Sequence, residues 1–416
     1  MTSRQAIERY LSRYGEPEAR QIPPLAARYE NVLTIPCYDE PPECVGDLLG
    51  RLDASALVIL VVNAPSDADT EARHRTEAFW RALGGVDDEP FHFSRWRQQL
   101  DLLAVNRAAP DRLIPRRQGV GLARKIAADM ACALIAAGRI DSPWIHMTDA
   151  DAELPADYFA HLPGDPGCAL HPFRHEAPPE LADAMRLYEL HLRYYVNRLG
   201  WAGSPYAFHT IGSTISIHAD TYAKVRGVPK RNAGEDFHLL NKAAKVAPIY
   251  PLSHPEILLK ARLSTRVPFG TGPALSRMTA DDHPLSYAPE SFNRLAEVIA
   301  YIERGASLSD ESAALLEELG YPRFRTQAQR QHHRPETLRK ATHQWFDGLR
   351  TLRFIHLARR FHPDQPLAKS LNRLFGPIDH LAHLKALEWE VQTANSRFAG
   401  LVGTPGFEPG TSTMSR

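Results

Sequence analysis

Two hydrophobic runs near the amino terminus predict buried β-strands. Residues 32–36 and 57–62 are almost continuously apolar and rich in β-branched side chains, with Asp, Asn, Pro and Ser nearby. Uninterrupted runs of this kind are typical of strands that are covered on both faces, as in a parallel sheet. Residues 69–83 and 121–137 carry helical patterns, and the second range has apolar side chains at spacings of three and four. The alternation predicts an α/β fold with a doubly wound, mainly parallel sheet.

The same patterns divide the chain. Strand signals recur at residues 143–147 and 214–217, but from about residue 281 onward helical periodicity dominates. We therefore expect a boundary near residues 277–284 and a Gly/Pro/Thr-rich disordered tail. The predicted parts are an N-terminal helical extension over 1–29, a catalytic domain over 30–278, a helical C-terminal domain over 279–400 and the tail over 401–416.

Composition narrows the classes of function. The chain has 416 residues, with 49 Lys plus Arg against 49 Asp plus Glu. A balanced charge disfavours wholesale binding of nucleic acid. The four cysteines lack metal-type spacing, which predicts reduced thiols in the cytosol. Neither a signal peptide nor an apolar run of membrane-spanning length is evident, so we expect a cytoplasmic protein with at most peripheral membrane contact.

Two carboxylates follow the hydrophobic run over 143–147 directly. Thr148, Asp149, Ala150 and Asp151 stand where the predicted strand ends, and ligands of α/β layers gather at the carboxyl ends of strands. Hard cations such as Mg²⁺ and Mn²⁺ take oxygen ligands, commonly one or two carboxylates together with substrate phosphates. The pattern predicts a Mn²⁺ or Mg²⁺ site at Asp149 and Asp151 and chemistry on a nucleotide diphosphate. The histidines that could complete the metal shell are His171, His209, His218 and His254.

Four blocks of the sequence resemble, in the same order, motifs of the family 2 glycosyltransferases of the GT-A fold. They lie at residues 33–40, 121–129, 148–151 and 234–236, and the resemblance covers roughly residues 30–275. It implies a metal-dependent enzyme that moves a sugar from a nucleotide-sugar donor to an acceptor.

The resemblance also implies roles for individual residues. Asp236, with Glu235 beside it, would be the catalytic base, and a helix start there would favour the ionised carboxylate. Arg262 and Arg266, which border the Gly270–Gly272 stretch, could close over the donor phosphates, and Arg124 and Lys125 could contact those phosphates. The residues assigned to the donor site are Pro36, Tyr38, Glu40, Asn63, Arg124, Lys125, Asp149, Arg262 and Arg266.

Two departures from the family pattern bear on how the nucleotide base is recognised and on whether the enzyme is processive. The acidic pair that usually follows the second strand is replaced by residues 62–67, Val-Asn-Ala-Pro-Ser-Asp, which affects recognition of the nucleotide base. The Gln-x-x-Arg-Trp motif of processive members is absent after the Glu235–Asp236 pair. A non-processive enzyme is therefore expected.

The C-terminal region has a strongly basic stretch. Residues 322–362 contain ten Arg or Lys against two acidic residues, beside apolar positions at helical spacing. Two interpretations stay open. The stretch either lies on an anionic membrane surface, where a lipid-linked acceptor would be found, or packs its apolar side on the catalytic domain with the arginines in water.

Other functions compete with glycosyl transfer. A catalytically inactive GT-A-like module whose basic region binds a membrane or a partner protein is the non-enzymatic alternative. A sugar-phosphate nucleotidyltransferase normally carries a Gly-rich, Lys-bearing loop after its first strand, whereas residues 37–42 read Cys-Tyr-Asp-Glu-Pro-Pro. A haloacid-dehalogenase-type phosphatase would carry its Asp-x-Asp motif near the first strand. The acceptor, whether lipid-linked or a small molecule, is not specified by these residues.

Overall fold

The computed structural model describes residues 3–97, 99–261, 284–377, 379 and 382–387. Contacts divide the chain into two compact units. The first comprises Met1–His191 and Phe208–Pro284, and the second comprises Leu192–Ala207 and Leu285–Arg416.

Within its described residues the first unit contains eleven strands in two sheets. In chain order they are β1 (Asn31–Cys37), β2 (Ala56–Asn63), β3 (Phe91–Arg97), β4 (Leu100–Arg107), β5 (Trp144–Met147), β6 (Ala152–Glu153), β7 (Cys168–Leu170), β8 (Phe173–Glu176), β9 (Ile215–His218), β10 (Ile249–Pro251) and β11 (Ile257–Lys260). Eight of them form a central sheet in the order β3-β4-β2-β1-β5-β9-β7-β10, and β8, β11 and β6 form a small second sheet.

The central sheet is mixed but mostly parallel. The pairs β1–β2, β2–β4, β1–β5 and β7–β10 are parallel, whereas β3 and β9 run antiparallel to their neighbours. The strand order reverses at β1, because β2 and β4 follow on one side and β5 lies on the other. In doubly wound sheets the crevice outside the carboxyl ends at such a reversal is where ligands bind.

Burial explains why the hydrophobic runs become strands. Every residue of β2 is buried, and β1 and β4 are almost wholly buried as well. The predicted α/β class is confirmed, and the runs over 32–36 and 57–62 lie within β1 and β2. The sequence did not reveal β7 and β10, since a strand of three residues is too short to show a period.

Seven helices of the described part of the chain belong wholly or partly to the first unit. They are α1 (Ser3–Tyr14), α2 (Cys44–Leu49), α3 (Thr70–Ala82), α4 (Gly119–Ala136), α5 (Ala182–Trp201), α6 (Ala219–Lys224) and α7 (Glu235–Ala243), with short 3₁₀ turns at Pro17–Arg20, Pro179–Leu181 and Gly212–Thr214. The predicted helices over 69–83 and 121–137 correspond to α3 and α4. Helix α4 is buried on most of its surface against β1 and β2, and α1 packs on α4 and α6. Ile7 and Tyr10 of α1 belong to the same hydrophobic core, so the segment expected as an extension contributes to that core.

The second unit is helical, as the periodicity after residue 281 indicates. Its helices are α8 (Pro289–Arg304), α9 (Asp310–Glu318), α10 (Tyr321–Gln331), α11 (Pro335–Trp345), α12 (Gly348–Ala358) and α13 (Leu367–Phe375), with a helical stretch over 382–387 and the two-residue strands β12 (Leu285–Ser286) and β13 (Gln365–Pro366). Phe292, Phe346 and Phe354 are among its fully buried side chains. In the part of the chain that the structure describes, no helix is both long enough and apolar enough to cross a membrane.

Candidate active site

Acidic side chains meet at the carboxyl ends of β1 and β5. Tyr38 and Glu40 follow β1, and Asp149 and Asp151 follow β5, which pairs with β1 in parallel register. Asp149 and Asp151 are partly exposed, whereas Glu40 is buried. These residues stand at the point where the strand order reverses, which is the position that the sequence pattern predicted for a ligand.

Arg124 joins the end of β5 to the start of α7. Its Nη2 donates to Asp149 Oδ1 at 2.5 Å, and its Nε donates to Glu235 Oε1 at 3.0 Å. Its Nη1 donates to the carbonyl oxygens of Thr148 and Gly212 at 3.4 and 3.3 Å. The planar guanidinium carries donors in several fixed directions, so one side chain can hold all four acceptors. The Asp149 motif and the Glu235–Asp236 motif are therefore brought together.

This position of Arg124 depends on a glycine. A β-carbon at Gly212 would lie 2.5 Å from Arg124 Nη2 and 2.9 Å from its Cζ. Real β-carbons essentially never approach other heavy atoms this closely, so any larger residue at position 212 would displace the guanidinium. Gly212 therefore both leaves room for Arg124 and supplies a carbonyl acceptor to it.

A second glycine fixes the segment that precedes α7. The Gly121 N–H donates to the Arg231 carbonyl at 2.9 Å, and a β-carbon at Gly121 would lie only 2.4 Å from the Pro229 carbonyl oxygen. The first turn of α4 thus packs directly against the chain leading to Glu235. Gly234 adopts a left-handed conformation with φ 70° as the N-cap of α7, which a glycine adopts without strain.

Burial and the neighbouring charges shift the pKa values of Arg124 and Asp236. Burial alone would lower the pKa of Arg124, but the charges of Asp149, Glu235 and Asp236 raise it above its ordinary value. Burial, followed by the negative charge of Glu235, raises the pKa of Asp236 to about 7, although the Phe237 N–H donates to its carboxylate at 2.6 Å. Asp236 can therefore take up and release a proton near neutral pH, as a general base must.

The carboxylates also suit a hard divalent cation. Burial raises the pKa of the Cys37 thiol, and the charges of Cys44, Glu40, Asp149 and Asp151 raise it further, so negative charge accumulates beyond β1. Among the described residues no group of three or more His, Cys, Asp and Glu side chains is arranged to hold a metal. Asp149 and Asp151 fit a cation that takes its remaining ligands from substrate phosphates, but not a cage made by the protein alone.

Buried polar atoms without partners lie at the same edge of the sheet. Asn63 ends β2, and its side-chain oxygen has no hydrogen-bond partner within the described ranges. The hydroxyl of Thr148, directly before Asp149, is likewise buried and unpaired there. Such atoms cost stability unless a ligand or water satisfies them. Pro36, also predicted for the donor site, lies in β1 opposite Val61 of β2.

Arg124 and Lys125, which the sequence predicted as contacts to the donor phosphates, contact protein groups in the structure. Lys125 is buried, and its Nζ lies 2.8 Å from Asp129 Oδ2 and 2.6 Å from the Tyr10 hydroxyl. Asp129 also accepts from the hydroxyls of Tyr10 and Tyr222 at 2.6 Å each. Lys125 therefore belongs to a structural cluster and not to the acidic edge. Arg124 does lie at that edge, but its donors are directed at protein acceptors.

The structure gives no evidence that the other predicted arginine and histidine residues contact the acidic edge of the sheet. Arg262 and Arg266 lie outside the described residues, so the expected phosphate lid has no structural description. His171 is buried and bonds Ser216 at 3.0 Å, and His218 caps α6. Gly212 is not predicted from the sequence, where its only signal is its place before the 214–217 run.

Comparisons with known proteins do not extend this assignment: no protein family profile matches the sequence, and no curated protein is similar to it.

Proposed function

We propose that the protein is a metal-dependent, non-processive glycosyltransferase of the GT-A type, which transfers a sugar from a nucleotide-sugar donor to an acceptor. The observation that carries the proposal is the Arg124 side chain, which holds Asp149 and Glu235 at once. Asp149, one of the proposed cation ligands, and Asp236, the proposed base next to Glu235, would then border the same space.

The strand order supports the GT-A type. The ends of β1, β2 and β5 all face the reversal of the sheet, and each carries a residue suited to a nucleotide diphosphate-sugar: Glu40, Asn63 and Asp149. Nucleotides bind outside the carboxyl ends of strands at such a point. The unpaired oxygen of Asn63 could accept a hydrogen bond from the base.

The reaction needs one bond to break and one to form. The bond from sugar C1 to the diphosphate oxygen breaks, the acceptor oxygen bonds to C1, and the acceptor proton passes to Asp236. A Mn²⁺ or Mg²⁺ ion held by Asp149 and Asp151 would neutralise charge on the departing diphosphate. Arg124 would keep Asp149 and Glu235 in place, and burial, together with the charge of Glu235, would keep the pKa of Asp236 high enough for it to accept the proton.

The acceptor is either a lipid-linked sugar or a small molecule. Arg323, Arg330, Arg334 and Arg353 of the helical unit are exposed, so a peripheral contact with the inner face of the membrane is part of the proposal. A lipid-linked acceptor would be presented there.

Release of nucleoside diphosphate tests the proposal. The purified chain would be incubated with a panel of nucleotide sugars, Mn²⁺ or Mg²⁺ and an acceptor extract. We expect one donor to be consumed, with little turnover in Asp149→Asn and Asp236→Asn and full turnover in the exposed control Asp53→Asn. If every nucleotide sugar stays intact and anionic vesicles bind the protein, the result would favour a catalytically inactive binding module. Pyrophosphate release from a nucleoside triphosphate and a sugar phosphate would favour a nucleotidyltransferase.

A further inference from the structure

A cavity of about 410 Å³ lies in the first unit, and none of the residues of the Arg124 cluster lines it. Four segments form its wall: residues 16–21 after α1, Pro90 just before β3, the end of β4 with the chain that follows it, and the first two turns of α4. Its size falls within the range of ligand sites, which is roughly 300–1,000 Å³.

Unpaired polar atoms are concentrated at this cavity. Glu18 is only 8% exposed, and its Oε1 accepts from Arg107 Nη1 at 3.2 Å. In the described part of the chain, Glu18 Oε2, Arg107 Nε and Arg112 Nη1 are buried without a hydrogen-bond partner. All three side chains line the cavity. Buried donors and acceptors normally have a hydrogen-bond partner. Three such atoms without one, all on side chains of one cavity, indicate that a ligand or bound water supplies the partners.

The lining restricts the chemistry of that ligand. Two carboxylates, Glu16 and Glu18, and two guanidinium groups, Arg107 and Arg112, line the cavity, so its lining residues carry no net charge. A phosphate or another strongly charged ligand would gain no net attraction there. The unpaired atoms comprise one acceptor and two donors, and Leu122 and Ile126 of α4 supply apolar surface. A matching ligand both donates and accepts hydrogen bonds and has a face of C–H groups.

We propose that this cavity binds a neutral polyol the size of a mono- or disaccharide. Its hydroxyl groups donate to Glu18 and accept from Arg107 and Arg112, and its C–H face packs on Leu122 and Ile126. The site is separate from the proposed transfer centre and does not depend on the enzyme being a glycosyltransferase. Its occupancy fixes residues 16–21 against α4, because both segments contact the ligand.

Saturation-transfer NMR on the purified full-length chain tests the proposal. The probes are glucose, maltose, sucrose and inositol, with glutamine as a zwitterion and inorganic phosphate as an anion. We expect saturable binding of at least one sugar or inositol below about 10 mM, and no saturable binding of phosphate. Asp236→Asn should bind the same probe equally well, which separates this site from the transfer centre.

Matched variants locate the binding. Gln21 lines the cavity and is exposed, so Gln21→Trp should fill the space without breaking the Glu18–Arg107 pair and should weaken binding at least tenfold. Gln327→Trp, on an exposed position of α10, should bind as the wild type does. Glu18→Gln should also weaken binding if it folds, as monitored by circular dichroism. Absence of saturable polyol binding, unchanged binding in Gln21→Trp, or binding of glutamine or phosphate alone would overturn the proposal.

Discussion

Asp149 and Glu235 accept hydrogen bonds from the same guanidinium group, that of Arg124. One carboxylate ends a strand and the other begins a helix, so the shared partner determines how those two elements meet. Arg124 is only 6% exposed in its side chain, as is Glu235, whereas Asp149 is 34% exposed. Arg124 and Glu235 thus form the buried part of the cluster, and Asp149 is its more accessible part.

Replacing Arg124 tests this arrangement directly. Arg124→Lys keeps the charge but offers a single point of donation, so it cannot hold Asp149, Glu235 and two carbonyls together. We expect a loss of about 1–3 kcal/mol of unfolding free energy for each buried acceptor left without a donor, and strongly reduced turnover. Urea unfolding and donor turnover measure the two effects. A fully active and equally stable Arg124→Lys variant would contradict the structural role.

The raised pKa of Asp236 predicts the pH dependence of activity. A base must be ionised, so turnover should rise with pH through a midpoint near 7. Asp236→Asn should lower the rate by roughly a hundred- to ten-thousand-fold. A pH–rate profile of the wild type and of Asp53→Asn checks the midpoint. A wild-type profile that stays flat from pH 5 to about 9 would argue against Asp236 as the base.

The same carboxyl predicts a stability trend of definite sign. The folded-state pKa lies above the unfolded value near 3.8, so the folded protein binds more protons between pH 4 and 7. The contribution of Asp236 to stability therefore decreases as pH rises through that window. Asp236→Asn, which cannot ionise, should remove this decrease. Denaturant unfolding of both proteins at several pH values compares the slopes, and identical slopes would count against the raised pKa.

Gly212 should tolerate no side chain. The added β-carbon of Gly212→Ala would meet Arg124 Nη2 at 2.5 Å, so the guanidinium must move away from Asp149 and Glu235. We expect a marked loss of turnover and about 1–3 kcal/mol of destabilisation. The control is Gly46→Ala in α2, where no described atom lies within 4 Å of the new carbon. Equal behaviour of the two variants in turnover and thermal melting would show that this close packing is unimportant.

Lys125 should matter for stability and not for donor binding. Its ammonium group is buried between Asp129 and the Tyr10 hydroxyl. Lys125→Met leaves Asp129 uncompensated, so we expect a loss of roughly 3–5 kcal/mol with an unchanged KM for the donor. Lys230→Met is the control, because Lys230 is exposed although its partner Glu16 is mostly buried, and its loss should destabilise the protein less than the loss of Lys125. A raised donor KM in Lys125→Met with normal stability would restore the original expectation of a phosphate contact.

The sequence predicted what depends on local pattern. Apolar runs and helical spacing located β1, β2, α3 and α4, and the position of Asp149 after a strand placed it at the carboxyl edge of the central sheet. The pairing of Lys125 with Asp129 follows from local geometry, because the two residues are four positions apart on one helix and so share a face. Arg124 points about 100° away from Lys125, and its contact with Asp149 could not be predicted in this way, because it depends on tertiary packing.

Contacts between segments that are distant in the chain could not be predicted from the sequence either. The contact of Gly212 with Arg124 joins segments far apart in the chain, and no local signal distinguishes this glycine from one in an ordinary turn. The cavity beside Glu18 likewise depends on the position that residues 16–21 take against α4. Both features follow from how elements meet and not from their own periodicity.

Donor cleavage by the wild type and by Asp149→Asn, with Asp53→Asn as control, tests the central claim most directly. We expect nucleoside diphosphate to appear from one nucleotide sugar in the presence of Mn²⁺ or Mg²⁺, and to fall by at least a hundredfold in Asp149→Asn while Asp53→Asn matches the wild type. Cleavage that is unaffected by Asp149→Asn, or no cleavage of any donor with any acceptor, would contradict a transfer centre at the end of β5.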